Sequence, residues 1–188
     1  MKNLSKRHII KIPNSIKIFY CDKNHILLIQ GPLKEKLIKL SVKLVILNNP
    51  NYIKVTDIIC HKLLKTKKSC MQGTTTALIK QSFLEVATVF CKKLQLAGVG
   101  FKVFSLQLKK INLIHFKLGY SHSIYFKIPE NIEIENYKST NLFVSGNNFN
   151  YVTQISALIK SYKFPEIYKG KGILYSDEKI KLKEGKKI

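Results

Sequence analysis

The sequence predicts an α+β fold: two tandem small domains of similar build, each an antiparallel-rich sheet packed with one main helix, followed by a basic C-terminal tail. Three observations carry that expectation. Strand-type alternation runs into a helical periodicity twice along the chain. Each half contains a strand that closes on glycine, Leu27-Leu28-Ile29-Gln30-Gly31 and Leu142-Phe143-Val144-Ser145-Gly146. The 188 residues are 45% hydrophobic, with 10 Phe and 9 Tyr, which is enough to give each of two small domains a core.

The elements follow in order. Residues 9–20 read as strand material, interrupted at Pro13-Asn14-Ser15, with Ile16, Ile18 and Tyr20 at period two. Asp22-Lys23-Asn24 is a turn. A second strand runs from His25 to Gln30 and stops at Gly31-Pro32. Residues 35–47 alternate less cleanly through Leu37, Ile38, Leu40, Val42 and Val45, and Asn48-Asn49-Pro50-Asn51 breaks them off. Residues 52–70 read as a strand and then a lysine-rich loop through Lys62, Lys65, Lys67 and Lys68. A helix is expected over 74–93. Gly73-Thr74 would cap it, Leu78, Ile79, Phe83, Val86, Ala87 and Phe90 would form its core stripe, and Cys91-Lys92-Lys93 would complement the negative end of its dipole.

Strand signals resume from Leu94 to Phe104, with Gly98-Val99-Gly100 as a strand or bulge device, and over 111–118 and 122–128. Pro129-Glu130-Asn131 turns the chain. Residues 132–135 alternate strictly, and Asn141 to Ser145 precede Gly146-Asn147-Asn148. A second helix is expected over 149–162, with Val152, Ile155, Leu158, Ile159 and Tyr162 on one face and Phe164-Pro165 as its stop. The expected division is 1–90, 91–175 and a tail of 176–188, extended unless bound.

Charge sets the class of partner. Lys plus Arg number 33 and Asp plus Glu 11, a net of +22. Repulsion of that size is relieved by a polyanion, and a nucleic acid is the natural one, ahead of a membrane surface or a merely basic soluble protein. Arg7 is the single arginine. Lysine is a point charge and lacks the planar fork that reads base edges, so phosphates and shape are the expected targets. No apolar run reaches the roughly 20 residues of a membrane span. The N-terminus carries no signal-peptide core, so the protein is expected to be made where it works or to have lost a presequence. Cys21, Cys60, Cys70 and Cys91 contain no C-x-x-C pair, so zinc is not expected, and isolated buried thiols in a reducing compartment are.

The chemistry concentrates at 160–175, where basic residues alternate with aromatics and glycines. Lys169 and Lys171 suit successive phosphates, Gly170 and Gly172 suit close approach of a partner, and Tyr162 and Tyr168 suit stacking on bases or packing on ribose. Composition alone leaves this segment balanced against an ordinary solvated loop. Lys179, Lys181, Lys183, Lys186 and Lys187 in the tail tip it toward RNA. The two-glycine spacing is no Walker loop, and Gly98-Val99-Gly100 lacks the third glycine of a dinucleotide fingerprint. Cys60 and His61 are adjacent, so on a strand they face opposite ways and make a poor nucleophile–base pair. Eleven scattered carboxylates suggest no acid/base site.

From Met71 onward these residues resemble the bacterial-type large-subunit ribosomal protein six family. The carrying stretches are Gly73-Thr74-Thr75, Lys92-Lys93-Leu94-Gln95-Leu96-Ala97-Gly98-Val99-Gly100-Phe101, Leu118-Gly119-Tyr120-Ser121-His122, Ile128-Pro129, and Tyr168-Lys169-Gly170-Lys171-Gly172-Ile173. Pro165-Glu166 precedes the last, and Tyr175, Asp177-Glu178 and Lys183-Glu184-Gly185-Lys186-Lys187 follow it. Ile12-Pro13 and Ile29-Gln30-Gly31-Pro32 extend the likeness into the first half, while 41–70 match little.

The resemblance implies two similar α+β domains and no catalysis, cofactor or small-molecule substrate. Its implied partners are large-subunit rRNA, near the stalk base and the translation-factor site, and neighbouring ribosomal proteins. Contact would run chiefly through the second domain and tail, which adds Lys160, Lys163, Ser121 and His122 to the expected RNA-binding residues. His122 equally suits a hydrogen bond within its own loop. The chain departs from the family at Lys34-Glu35, where a second glycine is usual. It departs again at Lys160 and Lys163, where arginines are usual, and at 105–110, which look longer and predict an extended hairpin. A free RNA-binding assembly factor is the alternative function. The excess of Lys, Ile and Asn points to an AT-rich genome. A mitochondrial large subunit is expected, with a plastid or an AT-rich bacterial cytoplasm as alternatives.

Overall fold

The computed structural model describes residues 8–47, 51–59, 68–108 and 111–185. The chain divides into two compact units, Met1–Thr88 and Val89–Ile188. The first contains β1 (Ile9–Lys11), β2 (Lys17–Cys21), β3 (Ile26–Gln30), β4 (Glu35–Lys39), β5 (Val42–Leu47), β6 (Tyr52–Ile59) and α1 (Lys68–Ala87). The strands form two three-stranded antiparallel sheets, ordered β1-β6-β5 and β2-β3-β4. Their inward residues, among them Ile10, Leu27, Ile29, Leu44, Ile53 and Val55, close on Ile79, Phe83 and Val86 of α1.

Residues 35–47 are two strands and not one. β4 pairs in one sheet and β5 in the other, so the chain must bend between them, and it does so at Leu40, whose N–H donates to the His25 carbonyl at 2.8 Å. The usual second glycine is not needed after Gly31-Pro32. Gly31 N–H still donates to the Lys34 carbonyl, and Leu33 N–H reaches the Val86 carbonyl. Gly31 itself is required by proximity, since a Cβ there would overlap Val86 Cγ1.

α1 starts six residues earlier and ends six residues earlier than its apolar spacing indicates. Gly73 and Thr74 lie inside it. The hydroxyls of Thr74, Thr75 and Thr76 donate back to carbonyls of the preceding turn, at Met71 and Gln72, and cap nothing. The buried face is Thr75, Thr76, Ile79, Ser82, Phe83, Glu85 and Val86, while Leu78 is half exposed. A face so rich in polar residues gives no clean apolar stripe. Cys91-Lys92-Lys93 belong to a strand, because pairing with Ser145, Val144 and Phe143 overrides helix propensity there. Lys68 opens the helix; Cys60, His61, Lys62, Lys65 and Lys67 lie outside the described residues.

The second unit contains β7 (Phe90–Ala97), β8 (Lys102–Leu108), β9 (Ile111–Lys117), β10 (Ile124–Lys127), β11 (Glu133–Lys138), β12 (Asn141–Gly146), α2 (Phe149–Ser161) and β13 (Gly172–Tyr175). Its antiparallel sheets are ordered β10-β9-β8 and β11-β12-β7-β13. Gly98-Val99-Gly100 is the corner at which the chain leaves one sheet for the other, since β7 and β8 do not pair. The β8–β9 hairpin stays in register out to Leu108 and Ile111, which makes the 105–108 extension ordered strand. α2 begins at an Asn148 cap, whose side chain accepts from the N–H groups of Asn150 and Tyr151. It buries Val152, Ile155, Ser156 and Ile159; Leu158 is turned out and nearly half exposed. No helix among the described residues is long and apolar enough to cross a membrane.

Among the described residues of the first unit, one charge is fully buried. Glu85 is sealed from solvent and accepts from Lys36 Nζ on β4 and from Gln81 Nε2. Burial works to raise its pKa, and the two hydrogen bonds with the Lys36 charge outweigh that and hold the carboxyl below the usual 4.5. The pair therefore stabilises the unit fully above pH 4.5, and the contribution is lost as pH falls through the lower folded value. Glu85→Gln should cost roughly 2–3 kcal/mol in urea unfolding at neutral pH and should flatten the acid limb of stability. The figure sits below that for a sealed pair because Lys36 is about one-third open to water.

Candidate nucleic-acid interface

The segment after α2 is a closed loop. The helix ends in a tightened turn, with Tyr162 N–H donating to the Ile159 carbonyl and Lys163 N–H to the Lys160 carbonyl. Ile173 N–H then returns to the Lys163 carbonyl at 2.9 Å, and Glu166 N–H to the Lys171 carbonyl at 2.9 Å. Inside this closure Gly170 N–H donates to the Glu166 carbonyl, with Gly170 at φ +67. Gly172 is buried. A Cβ there would stand 2.5 Å from Pro165 Cα and 2.7 Å from Pro165 N. The close approach that requires glycine is therefore made to the chain's own backbone, where the sequence suggests approach to a partner. What the loop presents outward is Tyr168 and Lys169, both exposed, with Lys171 partly so.

The tail is fastened to this loop. Lys160 Nζ lies 2.6 and 2.7 Å from the two Glu178 carboxylate oxygens and 5.0 Å from the centre of the Tyr175 ring. Tyr175 N–H also donates to Glu178, and Lys183 N–H donates to the Ile167 carbonyl at 3.1 Å. Residues 176–185 are accordingly tied at two points, where the sequence alone suggests a chain extended until bound. Between the ties Lys179, Lys181 and Lys183 are exposed. Lys186 and Lys187 lie outside the described residues.

A third piece joins them. The loop after β9 stacks Tyr120 on His122, with centroids 5.4 Å apart and planes at 19°. Tyr120 O–H donates to the Tyr162 carbonyl at 3.0 Å, and Lys163 Nζ sits 4.1 Å over the Tyr120 ring. Ser121 and His122 are thus brought beside Lys163, both exposed.

The expected residues sort by position. Lys163, Tyr168, Lys169, Lys171, Lys179, Lys181, Lys183, Ser121 and His122 reach the surface. Lys160 is committed to Glu178. Tyr162 packs its ring against Phe116 at 5.8 Å and Phe126 at 6.4 Å, and burial pushes its hydroxyl pKa up. Gly170 and Gly172 shape the loop. Two participants escape a reading of the basic residues alone: Glu178, 18 positions from its partner, and Tyr120, whose signal is the Gly-Tyr-Ser-His run itself. Cys21, Cys70 and Cys91 are free and exposed, contrary to the buried thiols expected, because they fall on outward strand and helix positions. Among the described residues no three His, Cys, Asp or Glu side chains converge as a metal site.

Comparison with known proteins gives one answer. The model of the family described as ribosomal protein L6 matches residues 98–176. The large ribosomal subunit protein uL6 of Buchnera aphidicola subsp. Acyrthosiphon pisum is 44% identical over 115 residues, 61% of this chain and 63% of that protein. The chain thus matches less than two-thirds of that relative's length. The uL6 protein of Chlorobium limicola is 38% identical over 178 residues, 94% of this chain and 93% of the relative. That of Mycoplasma capricolum is 34% identical over 185 residues, 95% and 94% of the two chains.

The Lys160 clasp gives a pH prediction. The hydrogen bond from Lys160, with smaller help from the Tyr175 N–H and the Lys160 charge, holds the Glu178 carboxyl below 4.5 against a modest desolvation cost. The clasp is complete above pH 4.5 and opens as pH falls through the lower folded value. Amide exchange over 176–185 should accelerate on that descent, and Glu178→Gln should show the faster exchange already at neutral pH. Equal exchange in the two proteins at neutral pH would mean that Lys183 alone fastens the tail.

Proposed function

The chain belongs to the ribosomal protein L6 family, and from that premise we propose that it is a structural constituent of the large ribosomal subunit, binding rRNA and having no catalytic role. The observation that carries this reading is the lysine-bearing surface built on the hydrogen-bonded 163–173 loop, in a chain 38% identical to a uL6 protein over nearly its whole length.

The mechanism is positioning by charge. Exposed Lys169, Lys179, Lys181 and Lys183, with Lys163 and Lys171, meet phosphates, and each contact releases a counterion. Lysine heads do not read base edges, so binding follows backbone shape. Lys160, Tyr162, Gly170 and Gly172 serve from beneath, by fixing the loop that carries the others. Lys186 and Lys187 would lengthen the same basic track. Tyr168, exposed at the loop's tip, suits packing on ribose or a base, and His122 beside Lys163 suits the RNA backbone.

The resemblance supports a place near the stalk base and the factor-binding loop, with neighbouring ribosomal proteins as further partners. For the compartment, the composition favours an organellar, mitochondrial subunit, and the bacterial relatives make a bacterial cytoplasm the alternative. Finding whether the gene lies in an organelle genome decides between them.

The charge-reversing pair Lys169→Glu with Lys171→Glu should weaken association with large-subunit rRNA and lower the log–log salt slope by about two. Lys17→Glu with Lys39→Glu, both on exposed strand positions of the first unit, should do less. Equal losses would show that total charge matters and the loop does not. Sedimentation of the protein only in free low-mass fractions would sink the ribosomal reading and favour an assembly factor.

A further inference from the structure

The outer face of the β10-β9-β8 sheet is not used by anything described so far. Its inner face, formed by Val103, Ile114, Phe116 and Phe126, is core. On the outer face Phe104, His115 and Tyr125 stand directly opposite one another in register. Their rings stack into a ladder, with centroids 5.9 and 4.9 Å apart and planes at 20° and 24°. The end rings stay open to solvent: Phe104 is 42% exposed and Tyr125 57%. Cross-strand ring pairs do steady a hairpin. That need is met by one pair, and it gives no reason for the charges around this row.

Those charges decide what the face suits. Lys102 and Lys117 are exposed and paired in the adjoining row, and Lys127 is exposed in the row on the other side. No Asp or Glu occurs anywhere between Glu85 and Glu130. A protein partner docking on exposed aromatics usually meets an apolar centre with a rim of mixed charge. Here the rings adjoin Lys102 and Lys117 on one side and Leu106, Leu113 and Lys127 on the other, and every charge in these rows is positive. Flat rings on a sheet flanked by lysines are the arrangement that receives unpaired bases, because each base offers a π-face and each is followed by a phosphate.

We propose that this face is a second RNA contact, on a sheet that contains neither α2 nor β13. An unpaired base extends the ladder at Tyr125 or Phe104, and Lys102, Lys117 and Lys127 hold the adjoining phosphates. The inference rests on the RNA-binding reading above and adds to it a surface that grips bases. Stacking accepts any base, so the protein still reads no sequence.

The chain contains no tryptophan, so Tyr125→Trp places a single indole reporter in the ladder. Titration of the full chain with a single-stranded RNA oligomer should quench the indole fluorescence, and inorganic polyphosphate, which has charge but no bases, should not. Phe104→Ala with Tyr125→Ala should weaken binding of the same labelled oligomer on the order of tenfold. Its thermal unfolding, followed in parallel, should stay close to the parent because both rings are exposed. Added to the Tyr125→Trp protein, Lys169→Glu with Lys171→Glu should lower affinity and leave the quenching at saturation unchanged. If the labelled RNA binds while the indole stays bright and the double alanine variant binds normally, this inference falls and the RNA reading stands. If no variant and no parent binds RNA, both fall. An indole signal that responds only to another subunit protein would assign the face to a protein partner and overturn the proposal.

Discussion

Repulsion among 33 basic residues, set against 11 carboxylates, is the constraint around which this molecule is organised. Anions are scarce, and among the described residues two of them, Glu85 fully buried and Glu178 partly so, do positional work. Glu85 ties α1 to β4 through Lys36 in the first unit, and Glu178 ties the tail to the end of α2 through Lys160 in the second. In both, a lysine spans from one element to a carboxylate on another. Among the described residues most other lysines are exposed. The division between lysines that hold the fold and lysines that face solvent follows from where the few acids stand, more than from the lysines' own sequence context.

The same economy explains the loop. Lysine side chains are long and lose rotamer freedom when fixed, so a binding surface made of them gains from a backbone that is already set. The backbone here is set without charge: by Ile173 and Glu166 returning to Lys163 and Lys171, and by a glycine that lets Pro165 come within what would be clash distance of any other residue. Loop and tail then cost less to order on binding than a free basic tail would. The clasp at Glu178 extends that preorganisation to Lys179, Lys181 and Lys183.

Local pattern makes the strands legible: period-two alternation at 16–20 and 132–135, and short apolar runs closing on glycine at 26–30 and 141–145, answer to sheet positions. α2 is legible too, from the spacing of Val152, Ile155 and Ile159 and from its Phe164-Pro165 stop. α1 is displaced from its sequence signal because its buried face carries Thr75, Thr76, Ser82 and Glu85, which read as solvent-facing until a partner such as Lys36 is known. Lys92 and Lys93 look like a helix end because their pairing with Val144 and Phe143 is a long-range fact. The basic segment at 160–175 is visible from composition, but composition does not say which lysines are spent internally. Lys160 and Glu178 lie 18 residues apart, and Tyr162 meets Phe116 and Phe126 only after β9 and β10 have folded. The ladder of Phe104, His115 and Tyr125 is hidden for the same reason: only hairpin register aligns three residues so spaced.

Fixed charge and open rings have different strengths against RNA. A lysine–phosphate contact weakens with every increase in salt and treats duplex and single strand much alike. A stacked base depends little on salt and requires an unpaired nucleotide. A protein with one arginine cannot gain specificity by bidentate recognition of base edges, so a cationic loop alone would bind many polyanions nearly equally. Selectivity for one place on a folded RNA then has to come from geometry: phosphates at the spacing of the closed loop and, on the proposed face, unpaired bases within reach of the ladder. Both depend on rigid backbone. That rigidity is supplied by the hydrogen-bonded loop in one case and by the β8–β9–β10 register in the other.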